Sequence, residues 1–346
     1  MASASETGGQ ALSHALFEAF FWIEPVKASS DAPTFTSTRV VFHYPPNVAH
    51  ITTPFRDLPQ FCFPDLERVA LQAPAEGVGQ NEFFTFTLTE GDGSRVYGVC
   101  MRPFFRGEGL RYDVRRRARH CLCLVTRRPL HALLRTVLLQ LHGLTLLDET
   151  RPGSSALAFL KALYAADQGL PCVRVPLDAL PRSFLVALPR YQGTADTTAP
   201  LLPLLLVLGA EQFFLLLSAL LCERRVLFVA DDLAALSQSV LAAASMVQPF
   251  AWQHIFVPLL PSGLLDYAQA PMPFLLGVRR YQLPLLERMG AALSDCVVVD
   301  VDRGSLRPVG RVSLVDFVGD RGSALKQASE QVDGLVKVRV RGRGSR

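Results

Sequence analysis

Lysine is scarce in this chain, and charged residues of either sign are few. Lysine occurs only at positions 27, 161, 326 and 337, so Arg carries almost all of the positive charge. Charged residues make up 19% of the sequence and hydrophobic residues 49%. Such a composition is typical of a globular chain and excludes a largely disordered one. The length of 346 residues is sufficient for two domains, each with its own core.

The sequence also lacks the common motifs of enzymes. It contains no GxSxG nucleophile elbow, no Walker A sequence, no HExxH and no GxGxxG after a predicted strand. We therefore assign no catalytic residue by motif and expect no cofactor.

Cysteine usage does not indicate a disulfide framework. Seven Cys residues, an odd number without regular spacing, favour reduced thiols in a cytosolic protein. His120-Cys121-Leu122-Cys123 has a metal-ligating composition, but no second ligand pair follows at zinc-like spacing. We predict no metal. The N-terminal residues show no basic region followed by an apolar stretch, so we do not expect secretion.

The longest apolar run covers residues 201–221. It is interrupted by Pro203, Gly209, Glu211 and Gln212. A charge at the centre of a bilayer costs about 2.5–3.5 kcal/mol. We interpret the run as a buried strand, a turn and a helix, and predict no transmembrane segment.

Basic residues cluster at 111–119 and at 337–346. We interpret the first cluster as a solvated loop, with acidic lipid or a nuclear-import receptor as alternative partners. No aromatic residues are interleaved with the charges and no known nucleic-acid-binding module accompanies them, so we predict no nucleic-acid partner.

Residues 15–150 carry the pattern of a sheet with flanking helices, preceded by a disordered segment at 1–14. Phe84, Phe86 and Leu88 alternate with threonines before the turn signal Gly91-Asp92-Gly93, which predicts an antiparallel hairpin. The other predicted elements here are strands at 16–23, 38–42 and 121–125 and a helix at 130–144.

A second lobe is predicted at 204–307, after a linker and lobe start at 151–203 that contain a helix at 155–166 and two short extended pieces. Residues 226–230 read as a buried strand. Asp231 and Asp232 then cap a helix that ends before Pro249, and 255–257 resumes strand character. This order predicts a right-handed βαβ crossover. A helix near 283–293 and a strand at 296–301 follow, and 308–346 reads as a loose basic tail.

Several segments, taken in order, resemble the DENN domain family. LFEAFFWIEPV, VVFHYPP, LPQFCFPD, FFTFTLTEGDGSRVYGVC and HCLCLVTRRP are similar to the upstream DENN module. CERRVLFVADDLAALS, PFAWQHIFVPLLP, LLDYAQAPMPFLLGV and DCVVVDVDRGSL are similar to the central module. The resemblance spans roughly residues 15–307.

The resemblance implies an α/β protein, in which an α+β longin-like lobe is followed by a three-layer central DENN lobe. Family members typically act as guanine-nucleotide exchange factors for Rab-type GTPases in vesicle-mediated transport. It therefore implies a cytoplasmic protein that binds a Rab GTPase and associates peripherally with vesicle or endosomal membranes. A third, mostly helical module usually follows the central one, and only residues 308–346 remain here for it.

Two alternative functions stay open. The short stretch after the central module favours a truncated DENN module that binds a partner without accelerating exchange. Some distant relatives instead activate GTP hydrolysis with an arginine finger, and Arg102 is the candidate here, together with an Arg of 111–119.

The positions that carry the family signature are expected to be mainly structural. In the pair Trp252 and His254, we expect a packed ring and a hydrogen-bonded imidazole on one strand face. The segment Glu223-Arg224-Arg225 is expected to close a helix. The prolines fix the shape of loops. The full set is Phe61, Phe63, Pro64, Gly98, Glu223, Arg224, Arg225, Pro249, Trp252, His254, Pro258, Pro261, Pro271, Pro273 and Gly277.

Overall fold

Two five-stranded sheets organise the chain in a computed structural model. The described residues are 16–29, 32, 34–46, 57–68, 81–90, 93–103, 120–145, 153–165, 172–175, 184–187, 200–289 and 295–310. The predictions for 1–14, for Gly91-Asp92, for the basic run 111–119 and for 311–346 lie outside these residues.

The N-terminal lobe is built on an antiparallel sheet. Its strands are β1 (Ala19–Lys27), β2 (Phe35–Tyr44), β3 (Glu82–Thr89), β4 (Arg95–Arg102) and β5 (Cys121–Thr126). They lie side by side in the order β2-β1-β5-β4-β3. The short helix α1 (Leu58–Cys62) lies between β2 and β3 along the chain, and helices α2 (His131–Thr145) and α3 (Ser154–Tyr164) follow β5.

Strand β5 shows how the alternation of side chains forms two cores. Leu122 and Leu124 belong to a core that includes residues of α2 and α3. Cys121, Cys123 and Val125 point to the opposite face and join a core shared with the second lobe. Because side chains alternate along a strand, one six-residue segment is buried on both faces.

The second lobe has a mostly parallel sheet. Its strands are β8 (Arg225–Ala230), β9 (Ile255–Val257), β10 (Phe274–Arg279), β11 (Cys296–Asp300) and β12 (Ser305–Val309), and its helices are α4 (Leu201–Leu221), α5 (Leu233–Met246) and α6 (Leu283–Arg288). The strand order is β12-β11-β8-β10-β9, in which only the edge strand β12 is antiparallel. A separate pair, β6 (Cys172–Val175) and β7 (Phe184–Ala187), connects the lobes in sequence and matches the two predicted extended pieces. The predicted α/β class is confirmed.

The βαβ prediction is correct in its elements and incomplete in its topology. Strands β8 and β9 flank α5 in the chain, and the Asp232 carboxylate caps the helix by accepting from the Ala235 N–H at 2.6 Å. The two strands are not neighbours, however, because β10 lies between them and pairs in parallel with both.

The strand predicted at the start of residues 201–221 is wrong. This run is helical from Leu201 to Leu221, with a kink at Gly209, whose φ of 73° only glycine adopts readily. Pro203 lies in the first turn of the helix, where a missing N–H has no consequence. The helix is long and apolar enough to span a membrane by length and composition, but the core helix of a soluble protein meets the same criteria. Leu216, Ala219 and Leu220 pack in the core shared by the two lobes.

Candidate functional site

A buried ionic cluster joins the two lobes. The Asp65 carboxylate is fully buried and accepts from the Arg102 Nη1 at 2.7 Å and from the Arg279 Nη1 at 3.3 Å. Arg102 ends strand β4 of the first lobe, and Arg279 ends strand β10 of the second. Arg102 also pairs with Glu82 at 2.6 Å. We call Asp65, Arg102 and Arg279 the Asp65 junction.

The junction keeps Asp65 ionised in the folded state. Burial raises the pKa of the Asp65 carboxyl, but the guanidiniums of Arg102 and Arg279 outweigh this effect, so the pKa lies below its usual value. Burial likewise lowers the pKa of Arg102, and the charges of Asp65 and Glu82 more than reverse that change. The Asp65 carboxylate therefore attracts one guanidinium from each lobe and holds the two together across the interface.

Further polar contacts join the two lobes next to this junction. Ser262, at the start of a 3₁₀ turn in the second lobe, donates its N–H to the Pro64 carbonyl at 3.3 Å and its hydroxyl to Glu67 at 2.7 Å. The Tyr281 hydroxyl also donates to Glu67 at 3.0 Å, and the Arg68 guanidinium lies 4.5 Å from the centre of the Tyr281 ring. The segment after helix α1 is thus bound to the second lobe at several points.

Strands β3 and β4 also contact the second lobe, through hydrogen bonds and through a shared hydrophobic core. Arg95 donates to the Trp252 carbonyl, and its guanidinium lies 4.5 Å from the centre of the Phe256 ring. The Thr85 N–H donates to the Ser237 hydroxyl on α5 at 3.3 Å. Side chains of both lobes form one continuous hydrophobic core, so the two lobes are packed as a single unit.

Four signature positions of the first lobe meet at this interface. Phe61, Phe63 and Pro64 are buried at the end of α1, and the Phe61 and Phe86 ring centres are 5.3 Å apart. Gly98 lies opposite Phe86 on the neighbouring strand, and a Cβ at Gly98 would be 2.1 Å from the Phe86 ring. Glycine is needed here because the ring occupies the space of a side chain.

Gly277 plays a similar part in the second lobe. A Cβ at this position would lie 2.0 Å from the backbone oxygen of Pro258, and the Gly277 carbonyl accepts from the Leu260 N–H at 2.7 Å. Pro258 and Pro261 are both buried in the loop that crosses β10. These positions fix the path of the loop over the sheet.

The remaining signature residues gather at the amino-terminal ends of the parallel strands. Trp252 is buried, and its ring centre is 5.4 Å from that of His254, whose Nε2 is 3.3 Å from Glu223 Oε1. Strand β9 begins only at Ile255, so these two residues make contact from a loop and not from one strand face. Arg225 donates to the Ala270 carbonyl at 3.1 Å, which ties β8 to the segment before β10.

Several large apolar side chains are exposed at this same end of the sheet. Strands β8, β9 and β10 are parallel, so their amino-terminal ends lie on the same side of the sheet. Helix α4 leads into β8, helix α5 leads into β9, and the segment that carries Met272 leads into β10. Phe250 is 72% exposed, and about half of the Tyr267, Met272 and Leu221 side chains is exposed. We call these four residues the apolar rim. Pro249, with a cis peptide bond, precedes Phe250, and Pro271 and Pro273 flank Met272, while Arg224 is half-buried behind the rim.

Arg102 does not have the geometry of an arginine finger. Its side chain is only 10% exposed and is engaged by the carboxylates of Asp65 and Glu82. A finger has to reach the phosphates of a bound nucleotide, whereas this guanidinium is held inside the protein. Its placement favours a structural role at the junction. The other finger candidates, at 111–119, lie outside the described residues.

The partnership of Asp65 and Arg279 was not predicted from the sequence. Asp65 does stand out as a charged residue directly after the apolar run Phe61–Pro64, which is a signal for a paired buried carboxylate. Nothing in the sequence, however, indicates the partner 214 residues away.

Two family models match the chain in the order of its lobes. The uDENN domain model matches residues 38–102, and the model described as the DENN (AEX-3) domain matches residues 117–304. The chain belongs to the DENN domain family. The first match contains Asp65 and Arg102, and the second contains Arg279, so the junction joins the two DENN modules.

Curated relatives share this region of the chain. DENN domain-containing protein 2A of Mus musculus is 33% identical over 255 residues, which are 70% of this chain and 23% of the relative. DENN domain-containing protein 2B of Homo sapiens is 30% identical over 287 residues, 81% of this chain and 23% of the relative. DENN domain-containing protein 1B of Mus musculus is 28% identical over 294 residues, 83% of this chain and 35% of the relative. This DENN chain thus spans a quarter to a third of the length of these relatives.

Proposed function

We propose that this chain is a guanine-nucleotide exchange factor for a Rab-type GTPase and promotes GDP release in membrane traffic. The observation that carries the proposal is the presence of both DENN modules in order, packed as one unit through the Asp65 junction and a shared core. A surface that spans both modules has a fixed shape only if the modules hold a fixed relative position. The cytosolic face of vesicle or endosomal membranes is the proposed place of action.

Exchange needs no covalent chemistry, which agrees with the absence of enzyme motifs. An exchange factor binds the nucleotide-free GTPase more tightly than the loaded form, and the affinity of the GTPase for nucleotide then falls by the same factor. The switch segments, which nucleotide phosphates and Mg²⁺ hold in place, are the natural element for such a protein to displace.

The coupling itself can be measured. The chain is immobilised on a sensor surface, and its affinities for the nucleotide-free and the GDP-loaded form of each Rab in a panel are compared. We expect at least one Rab to bind the chain more tightly without nucleotide, by a factor in the range of about 5–150. Tight binding that is the same for both forms would indicate a binding-only DENN module, since it provides no coupling. Failure to bind any nucleotide-free Rab in a broad panel would remove the GTPase partner altogether.

We propose that the apolar rim is part of the GTPase-binding surface. Isolated exposed apolar residues are common, but Leu221, Phe250, Tyr267 and Met272 all lie in segments that lead into the amino-terminal ends of β8, β9 and β10. Interfaces obtain most of their binding energy from a few large, mainly aromatic side chains that become buried on association. Phe250 is the most exposed of the four and the best candidate for such a role.

Phe250→Ala is therefore expected to reduce exchange activity and leave stability unchanged. Truncation of an interface aromatic typically costs about 1–2 kcal/mol or more, which is about tenfold in affinity. The measurement is kcat/KM for GDP release on the preferred Rab, together with the thermal unfolding midpoint.

Leu285→Ala is the matched control. Leu285 is 42% exposed on α6, which begins at the opposite, carboxyl-terminal edge of the same sheet. We expect its exchange activity to equal that of the wild type. If Phe250→Ala also exchanged nucleotide as fast as the wild type, the rim would not be part of the binding surface.

A further inference from the structure

Four cysteines converge in the core of the first lobe. The Sγ atoms of Cys62, Cys100 and Cys121 all lie within 4.8 Å of one another. Cys123 is two residues beyond Cys121 on β5, faces the same way, and is the cross-strand partner of Cys100. All four residues are fully buried. We call them the thiol cluster.

We propose that the thiol cluster is a binding site for a thiophilic metal ion, with Zn²⁺ as its occupant. The inference is independent of the proposed exchange function. It revises the expectation from sequence, which considered only the spacing around Cys121 and Cys123. Spacing does not reveal the cluster because 38 residues separate Cys62 from Cys100, and only the fold brings helix α1 against β4 and β5.

The distances match those of a thiolate site. A Zn–S bond of about 2.3 Å in a tetrahedral site places neighbouring sulfurs about 3.8 Å apart. The Sγ atoms of Cys62 and Cys100 are separated by 3.8 Å. The third sulfur, that of Cys121, needs to approach by at most about 1 Å to reach this spacing, which a small side-chain rotation supplies.

The chemistry of the donors also selects the ligand. The cluster offers sulfur alone, without carboxylate or imidazole, and soft thiolate ligands select Zn²⁺ and Cu⁺ over hard cations. With Cys123 as the fourth ligand, the donors come from a sheet and one helix and would form a closed four-cysteine site.

Burial dictates how the site has to be tested. Because the cluster is inaccessible in the folded protein, the metal has to enter during folding, and its binding energy adds to the folding free energy. The full chain is therefore produced in medium supplemented with Zn²⁺ or with Co²⁺, and purified without a metal-affinity tag. Metal content is measured by elemental analysis, and the cobalt form by its thiolate-to-metal charge-transfer and ligand-field absorption.

We expect about one metal ion per chain and cobalt bands typical of tetrahedral sulfur coordination. Cys62→Ser is expected to lose the metal, whereas Cys296→Ser, at a fully buried thiol in the other lobe, should retain it. Wild-type protein with less than about 0.1 metal ion per chain and no cobalt bands would overturn the proposal and leave the cluster as ordinary core packing. The wild-type spectrum decides the matter even if Cys62→Ser does not fold.

Discussion

Asp65→Asn is expected to lower the free energy of unfolding by about 3–5 kcal/mol, the range measured when one partner of a buried ion pair is removed. The amide keeps the size of the carboxylate but removes its charge. Arg102 and Arg279 then remain buried with like charges close together, and the amide N–H₂ faces one of the two guanidiniums. Urea unfolding followed by circular dichroism measures the change.

The control for this variant is Asp266→Asn. Asp266 is exposed in the 3₁₀ turn of the second lobe, where loss of a charge should change stability by less than about 0.5 kcal/mol. A loss below about 1 kcal/mol for Asp65→Asn would mean that the junction is not held by charge.

The junction also predicts a pH dependence. The pKa of Asp65 is lower in the folded state than its unfolded value of about 3.9, so the unfolded chain binds the proton more tightly. The stabilisation from Asp65 is therefore fully present above about pH 4 and is lost as the pH falls through the folded pKa. We expect the stability difference between wild type and Asp65→Asn to be constant near neutral pH and to shrink below about pH 4. A difference that stays constant down to acid pH would contradict the assignment of a low pKa.

Gly277→Ala has the second large expected effect, a loss of about 2–3 kcal/mol, in the range of overpacked cores. The added methyl group would lie 2.0 Å from the Pro258 oxygen, which is backbone and cannot rotate away. To accept it, the loop carrying Pro258 has to leave the sheet and weaken the hydrogen bond from Leu260 to Gly277. Denaturant unfolding gives the magnitude.

Gly143→Ala provides the comparison for Gly277→Ala. Gly143 lies in helix α2, and no atom is within 4 Å of the place that a Cβ would occupy there, so Ala should be neutral or stabilising by about 0.5–1 kcal/mol. If both glycine variants were equally stable, the close approach of the Pro258 loop to β10 would be refuted.

Local patterns predicted most of the secondary structure. The alternation of Phe and Thr at 84–88 gives β3, and the spacing after Asp232 gives α5 with its cap. The strand predicted at the start of 201–221 was wrong because a Leu-rich run fits a strand or a helix equally well. Packing against neighbouring elements decides which of the two forms.

Contacts between residues far apart in the chain could not be predicted from the sequence. The insertion of β10 between β8 and β9 depends on how the whole sheet assembles, and a βαβ pattern fixes only its own handedness. Asp65 and Arg279 are too far apart in the chain for any periodicity to relate them. Gly98 and Gly277, two positions of the predicted family signature, are points of close approach in the structure.

The most direct test of the proposed exchange activity is the release of fluorescent GDP from a panel of purified Rabs, with and without the full chain. We expect faster release from one or a few Rabs, with a rate that rises with the concentration of the chain. Unchanged release from every Rab, with protein shown to be folded by its cooperative unfolding transition, would contradict exchange activity.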